Sequence, residues 1–250
     1  MRLRDVIAPV TPADFRATYF GRQCFLVKRS KNPLEGLVSI ETIEARLNDG
    51  VASRHGLAVI GPDGAKLPAA QIHAPQPGPA WSAGFVRKRH VAGLLEQGCS
   101  FVLHNMSSIT PGVEELIREV EGLGARVQAD VHIYVSPRAN ASGYNVHRDT
   151  PQHKLYIQLH GSTDWTVYKG TDPRRAMPVE DAEATLRVDF RARLRPGSVL
   201  YMPPGVFHRA TNPDGPRISL SIPFYESPAS VPVDRTPLRL RSLFEPTDAQ

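Results

Sequence analysis

GYNVHRDTPQHKLYIQLHG, residues 143–161, sets His147, Arg148 and Asp149 at the head of a run whose apolar residues alternate. Alternation at a period of two marks a β-strand, and the H-x-D spacing puts His147 and Asp149 on the same side of an extended chain. The triplet alone carries little weight. With nine histidines and thirteen aspartates in 250 residues, one H-x-D is about as expected as not from composition. Its meaning rests on which partners the rest of the chain supplies.

Downstream of residue 126 the chain is a series of short strands bounded by Gly and Pro turns: ARVQADVHIYVS, HKLYIQLHG, DWTVYKG, ATLRVDFRARL, GSVLYMPPG and RISLSIPF. In one of them Leu186, Val188, Phe190, Ala192 and Leu194 share a face, with Arg187, Asp189, Arg191 and Arg193 opposite. Many short antiparallel strands in sequence predict a barrel or jelly roll. Upstream, the signals are helical. Thr11, Pro12 and Asp14 open a short helix reaching Tyr19, and Ser39 opens a second with Ile40, Ile43 and Leu47 on one face. Residues 83–98 and 110–124 read as two more helices, each closed by glycine, with SFVLHN as a strand between them. Residues 61–81 are loop-rich. The expected organisation is a helix-rich region over 1–125 packing on the barrel, the barrel over 126–225, and a Pro-rich tail over 226–250.

With 41% hydrophobic and 22% charged residues the chain reads as globular. It contains no run of eighteen apolar residues, and its start, MRLRDVIAPVTPADF, lacks the apolar core of a leader, so a cytoplasmic location and no membrane partner are expected. Cys24 and Cys99 are isolated, which excludes a disulfide framework and a thiolate zinc site. The net charge of +5 comes from dispersed arginines, with local basic spots at DPRRAMP and RLRSLF. That reads as a solvated surface, and nucleic acid is not an expected partner. A homodimer is left open.

H-R-D also begins the catalytic loop of protein kinases. That loop needs an asparagine five residues after its aspartate, where this chain has Lys154; the nearest D-F-G, at Asp189, lies inside an alternating strand, and no G-x-G-x-x-G loop precedes it. A metal site finds better support. A facial site needs two imidazoles and one carboxylate, with positions left open for oxygen and a co-substrate. LRPGSVLYMPPGVFHRA supplies a turn, a strand, a rigid Pro203-Pro204-Gly205 bend and then His208. The candidate ligands are His147, Asp149 and His208.

The blocks HRD, YIQLHGSTDWTVY and LRPGSVLYMPPGVFHRA together resemble the cupin-like JmjC hydroxylases, the group of the ribosomal oxygenases and asparaginyl hydroxylases, with looser similarity in YFGRQCFLVKRS. The resemblance implies a mainly β fold with α, a double-stranded β-helix of the cupin or jelly-roll type with a helical N-terminal region. It implies Fe(II) on His147, Asp149 and His208, with 2-oxoglutarate and O2 as co-substrates. The activity implied is a hydroxylase that oxidises a C–H bond and releases succinate and CO2.

One position departs from the pattern. The group usually places a Lys or Arg two residues after the glycine that follows the first ligand strand, to hold the distal carboxylate of 2-oxoglutarate; after Gly161 that position is Thr163. Either the cation comes from elsewhere or the co-substrate differs. Arg217, nine residues after His208 and two before Ser219, matches an R-x-S seen at that distance in other 2-oxoglutarate oxygenases, and alternation puts both on one face. Lys154 shares a face with Tyr156 and Gln158, where the group binds the proximal carboxylate. Tyr134 faces inward with His132 if Val131, Ile133 and Val135 face out, and is expected to hydrogen bond the co-substrate. The expected co-substrate set is Arg217, Ser219, Lys154, Tyr134 and Thr163. His153 and His160 are read as ordinary residues and Trp165 as core.

Ribosomal oxygenases carry a C-terminal dimerisation region and winged helix, whereas this sequence ends soon after the barrel. The expected substrate is therefore a peptide, an amino acid or a natural-product intermediate. Two other classes use the same ligands. A metal-dependent cupin without 2-oxoglutarate, an isomerase or ring-cleaving dioxygenase, has no need of Arg217 facing the metal, and a non-catalytic binding cupin tolerates loss of the metal.

Overall fold

Two antiparallel sheets face each other, and helices cover the outside of the larger one. The computed structural model describes residues 1–48, 56–74, 86–141 and 143–228. Expectations for 75–85, and for the tail from 229 with its RLRSLF spot, lie outside the described residues.

The chain begins with α1 (Leu3–Ile7) and α2 (Pro12–Asp14), the second continuing as a π-helical turn over Phe15–Tyr19. Thr11 caps α2 by accepting from the Asp14 amide, with Pro12 in the first position. Then follow β1 (Phe25–Val27), α3 (Ile40–Asn48), β2 (Leu57–Ile60), α4 (Ala69–Ile72), α5 (Lys88–Glu96), β3 (Ser100–Leu103) and α6 (Pro111–Glu121). Thr110 caps α6, which buries Val113, Leu116, Ile117 and Val120 at helical spacing. On α3, Ile43 is buried as expected, but Ile40 in the first turn is 51% exposed.

The second half contributes β4 (Val127–Ala129), β5 (His132–Ser136), β6 (Val146–Arg148), β7 (His153–His160), β8 (Thr163–Lys169), β9 (Ala176–Met177), α7 (Val179–Thr185), β10 (Arg187–Leu194), β11 (Val199–Met202), β12 (Phe207–Thr211) and β13 (Arg217–Glu226). The stretch that reads as one strand over 126–136 is two, β4 and β5, both paired with β13. The larger sheet runs β1-β11-β7-β13-β5-β3-β2, with β4 also on β13, and the smaller runs β10-β8-β12-β6-β9. β1, β2 and β3 thus extend the barrel, so the N-terminal half supplies sheet edges as well as the helical layer.

Strand alternation assigns the two faces of the larger sheet. Val59, Leu103, Ile133, Ile157, Tyr201 and Leu220 point out of the barrel and join the helical residues Phe15, Ile43, Leu116 and Val120 in the main core. Tyr156, Leu200 and Met202 point inward and pack against Trp165, Val167 and Leu194 of the smaller sheet. The outside of the smaller sheet is covered at one end by α7, where Ala182 meets Tyr168, Leu186 and Phe207. β7 and β13 are therefore buried on both faces. Val131 and Ile133, expected to face out of the barrel, do so and are fully buried there under the helical layer.

The turn from β7 to β8 depends on Gly161, whose φ is +65 and whose missing Cβ would lie 2.0 Å from the Pro216 carbonyl oxygen. Gly161→Ala is expected to lower stability by at least the roughly 1–3 kcal/mol of a left-handed non-glycine residue, with the clash against Pro216 adding to it; chemical denaturation measures this. His153 stacks against both Phe20 and Phe224, which also stack on each other, and is hydrogen bonded to the Tyr201 hydroxyl at 2.8 Å. Burial drops its pKa to about 4. The unfolded chain then binds a proton that the native one does not. Stability is accordingly expected to fall as pH drops from about 6.5 towards 4, with a shallower fall in His153→Phe than in the parent chain.

Candidate active site

His147 on β6 stands directly opposite His208 on β12 across the smaller sheet, and both rings point into the barrel. The Pro203–Gly205 bend before β12 docks on the segment after β6, where the Gly205 amide donates to the Asp149 carbonyl at 2.7 Å. This ties the two halves of the site together. One side-chain atom from each of His147, Asp149 and His208 lies within 4.8 Å of the others.

The protonation pattern follows from the neighbours. Nδ1 of His147 lies 2.8 Å from the Asn145 carbonyl and Nδ1 of His208 lies 2.9 Å from the Val206 carbonyl. A carbonyl only accepts, so each Nδ1 carries a hydrogen and each Nε2 is the ring nitrogen left to face the cluster. Burial, then the neighbouring His147, drives the His208 pKa down to about 3, so its imidazole is neutral. Burial opposes ionisation of Asp149, but the positive charge beside it, led by Lys154 at 3.7 Å, outweighs that and holds the carboxyl below its ordinary value. His208 Nε2 and Asp149 Oδ2 are both buried without a hydrogen-bond partner among the described residues. Two imidazole Nε2 atoms and one carboxylate converging on one point fit a divalent first-row metal, and backbone carbonyls supply the orienting contacts that metal-binding histidines require.

A cavity runs from this triad into the barrel. Tyr134, Tyr144, Tyr156, Trp165, Arg217 and Ser219 line it along with His147 and His208. Arg217 is 5% exposed and no carboxylate pairs with it among the described residues. Its Nε donates to Ser136 Oγ at 3.0 Å and Nη1 to Thr163 Oγ1 at 3.2 Å. Burial lowers its pKa to about 10, which leaves it charged at neutral pH. Burial also raises the phenols: Tyr144 to about 12, and Tyr134 and Tyr156 further, so all three remain potential hydrogen-bond donors.

The expected residues divide into three groups. His147, Asp149 and His208 come together, and Tyr134, Arg217 and Ser219 line the same cavity. Lys154 is buried against Asp149, and Thr163 lies behind Arg217. Trp165, read as core, is buried in the inward-facing cluster and also walls the cavity, its ring 5.7 Å from His208 and its buried indole nitrogen without a hydrogen-bond partner among the described residues. The polar supports of Arg217 were missed: Ser136, Ser100 bonded to it at 2.8 Å, and Gln158. For Gln158 a signal existed, a polar residue on the inward face of an otherwise apolar strand.

Fold and triad define a double-stranded β-helix with a two-histidine, one-carboxylate cluster inside it. Residues 109–230 match the family model of the JmjC domain. Among curated proteins, ribosomal oxygenase 1 of Rattus norvegicus is 27% identical over 84% of this chain and 34% of its own length. The bifunctional lysine-specific demethylase and histidyl-hydroxylase NO66 of Dictyostelium discoideum is 25% identical over 84% of this chain and 40% of its own. This chain therefore spans about a third to two-fifths of the length of these relatives. Among solved structures, YcfD, a ribosomal oxygenase from Escherichia coli in complex with cobalt and 2-oxoglutarate, superposes with a TM-score of 0.61 at 18% identity, over 89% of this chain and 53% of that one. The likeness supports the fold.

His147→Ala and His208→Ala are each expected to weaken Co(II) binding by at least about 100-fold, read by anaerobic calorimetry, with far-ultraviolet circular dichroism unchanged.

Proposed function

We propose that this protein is an Fe(II)- and 2-oxoglutarate-dependent hydroxylase. The observation that carries the reading is the buried, unpaired guanidinium of Arg217 lining the same cavity as the triad. A charge buried without a counter-ion is costly, and an anionic ligand entering from the metal side offsets that cost. A metal-dependent cupin acting on an uncharged substrate has no such need of a cation facing the cavity.

In this reading His147, Asp149 and His208 hold Fe(II), leaving positions open for the 2-oxo acid and for O2. Fe(II), when bound, supplies the activation of O2 that couples decarboxylation of 2-oxoglutarate to oxidation of a substrate C–H bond. Arg217 takes the distal carboxylate, because Lys154, the other buried cation of the site, is engaged by Asp149. The Tyr134 and Tyr156 hydroxyls are donors along the cavity wall between the two ends. Apolar walls from Ile60, Val102 and Trp165 exclude water around the chelate. Thr163 contributes by supporting Arg217.

The substrate class best supported is a peptide or protein side chain, since the relatives are named for ribosomal and histidyl substrates. A cytoplasmic location is consistent with the free thiols of Cys24 and Cys99, and no helix among the described residues is long and apolar enough to cross a membrane.

The test is anaerobic addition of Fe(II) and 2-oxoglutarate, followed by O2. A weak visible charge-transfer band and then succinate are expected. Arg217→Ala should abolish the band at 2-oxoglutarate concentrations that saturate the parent while retaining metal affinity. Bound iron without a band in the parent chain removes 2-oxoglutarate from the reading.

A further inference from the structure

Behind Arg217 lies a chain of hydrogen bonds whose direction is determined by chemistry. The β7–β13 ladder is irregular at Ile218/Ser219: Ser219 pairs with Gln158 but Ile218 pairs with His160, which leaves Leu159 as an extra residue on β7. The irregularity frees carbonyls, and Gln158 turns back to meet them, with Nε2 donating to the His160 oxygen at 2.8 Å and the Gly161 oxygen at 3.4 Å. Carbonyls only accept, so the amide nitrogen must face them and Oε1 must face the other way. There it meets Thr163 Oγ1 at 2.8 Å and Ser219 Oγ at 2.9 Å. An amide oxygen cannot donate, so both hydroxyls give it their single hydrogen. Thr163 then has only lone pairs left for Arg217 Nη1, and Ser219 presents only lone pairs to the cavity.

We propose that Gln158 is a positioning residue that sets the polarity of Thr163 and Ser219, so that the Thr163 oxygen, together with Ser136, holds the Arg217 guanidinium with its free edge towards the cavity as the receptor for a distal carboxylate, and Ser219 turns only lone pairs to that cavity. This rests on the reading of Arg217 as the carboxylate anchor. It reassigns Ser219, which is spent as a donor on Gln158, and leaves the tyrosine hydroxyls and the guanidinium to donate to the ligand. It also gives Thr163 a task suited to a threonine: where a cation enters from another strand, the residue beside it must accept.

The test is anaerobic calorimetry on the full chain loaded with Co(II), with 2-oxoglutarate as one probe and pyruvate, which keeps the 2-oxo acid and lacks the distal carboxylate, as the other. Gln158→Leu cannot accept either hydrogen, and Thr163→Val removes one hydroxyl at nearly constant shape. Each is expected to weaken 2-oxoglutarate tenfold or more while leaving pyruvate and Co(II) affinity within twofold of the parent. Thr163→Ser keeps the oxygen and should keep parental affinity, and Gln158→Leu combined with Arg217→Ala should bind no more weakly than Arg217→Ala alone. Parental 2-oxoglutarate affinity in Thr163→Val and Gln158→Leu overturns the inference, as does equal loss of both probes. If Arg217→Ala itself leaves 2-oxoglutarate affinity unchanged, the anchor reading fails and this inference falls with it; that outcome is separate from an Arg217 effect without a Gln158 effect.

Discussion

The pairing of β7 with β13 in the middle of the larger sheet is the constraint on which fold and site both depend. Each strand is buried on both faces, so alternate residues are committed to different environments. Leu155, Ile157, Leu220 and Ile222 enter the core beneath the helices, while Lys154, Tyr156, Gln158, Ser219 and Arg217 enter the barrel. A slip of one residue would exchange the two sets, driving a lysine and an arginine into a hydrocarbon core. Register is therefore enforced by the same residues that build the site.

Much of this was readable in the sequence because it is local. Alternation in HKLYIQLHG and LRVDFRARL is a property of neighbouring residues, and so are the caps at Thr11 and Thr110. The triad was readable because H-x-D fixes two side chains on one face, and because the bend before His208 constrains the third. What was not readable is what depends on distant strands. Ser136 meets Arg217, and Ser100 meets Ser136, only because β5 lies between β13 and β3 in the larger sheet. Trp165 is core, as it reads, but only its position opposite Ala192 and Ala210 in the smaller sheet makes it a cavity wall beside His208 as well. The orienting acceptors of the histidines are backbone carbonyls of Asn145 and Val206, which any residue could supply, so no side chain marks them.

The two buried cations of the barrel behave differently because their neighbours differ. Lys154 lies 3.7 Å from Asp149, and that carboxylate offsets part of its desolvation. Burial still lowers the Lys154 pKa, and the pair is compatible with a metal because only one carboxylate oxygen faces the ammonium while the other lies 3.7 Å from His208. Arg217 has neutral oxygens only. A guanidinium tolerates this better than an ammonium would, since its charge is spread over a plane and its donors can be satisfied singly. The same site with a lysine at 217 would favour loss of the proton, because nothing beside it stabilises a compact charge.

The irregularity in the β7–β13 ladder links these features. A regular ladder would leave Gln158 no freed carbonyls to meet, its amide would be able to rotate, and the hydroxyls of Thr163 and Ser219 could point their hydrogens at the guanidinium. With Leu159 inserted and Gly161 bringing the backbone against Pro216, the amide is held in one orientation, and the Thr163 acceptor beside Arg217 follows from it. A cation on β13 thus needs no carboxylate to hold it, only oxygens whose hydrogens are engaged elsewhere, and the irregularity at the end of β7 supplies that condition for Thr163.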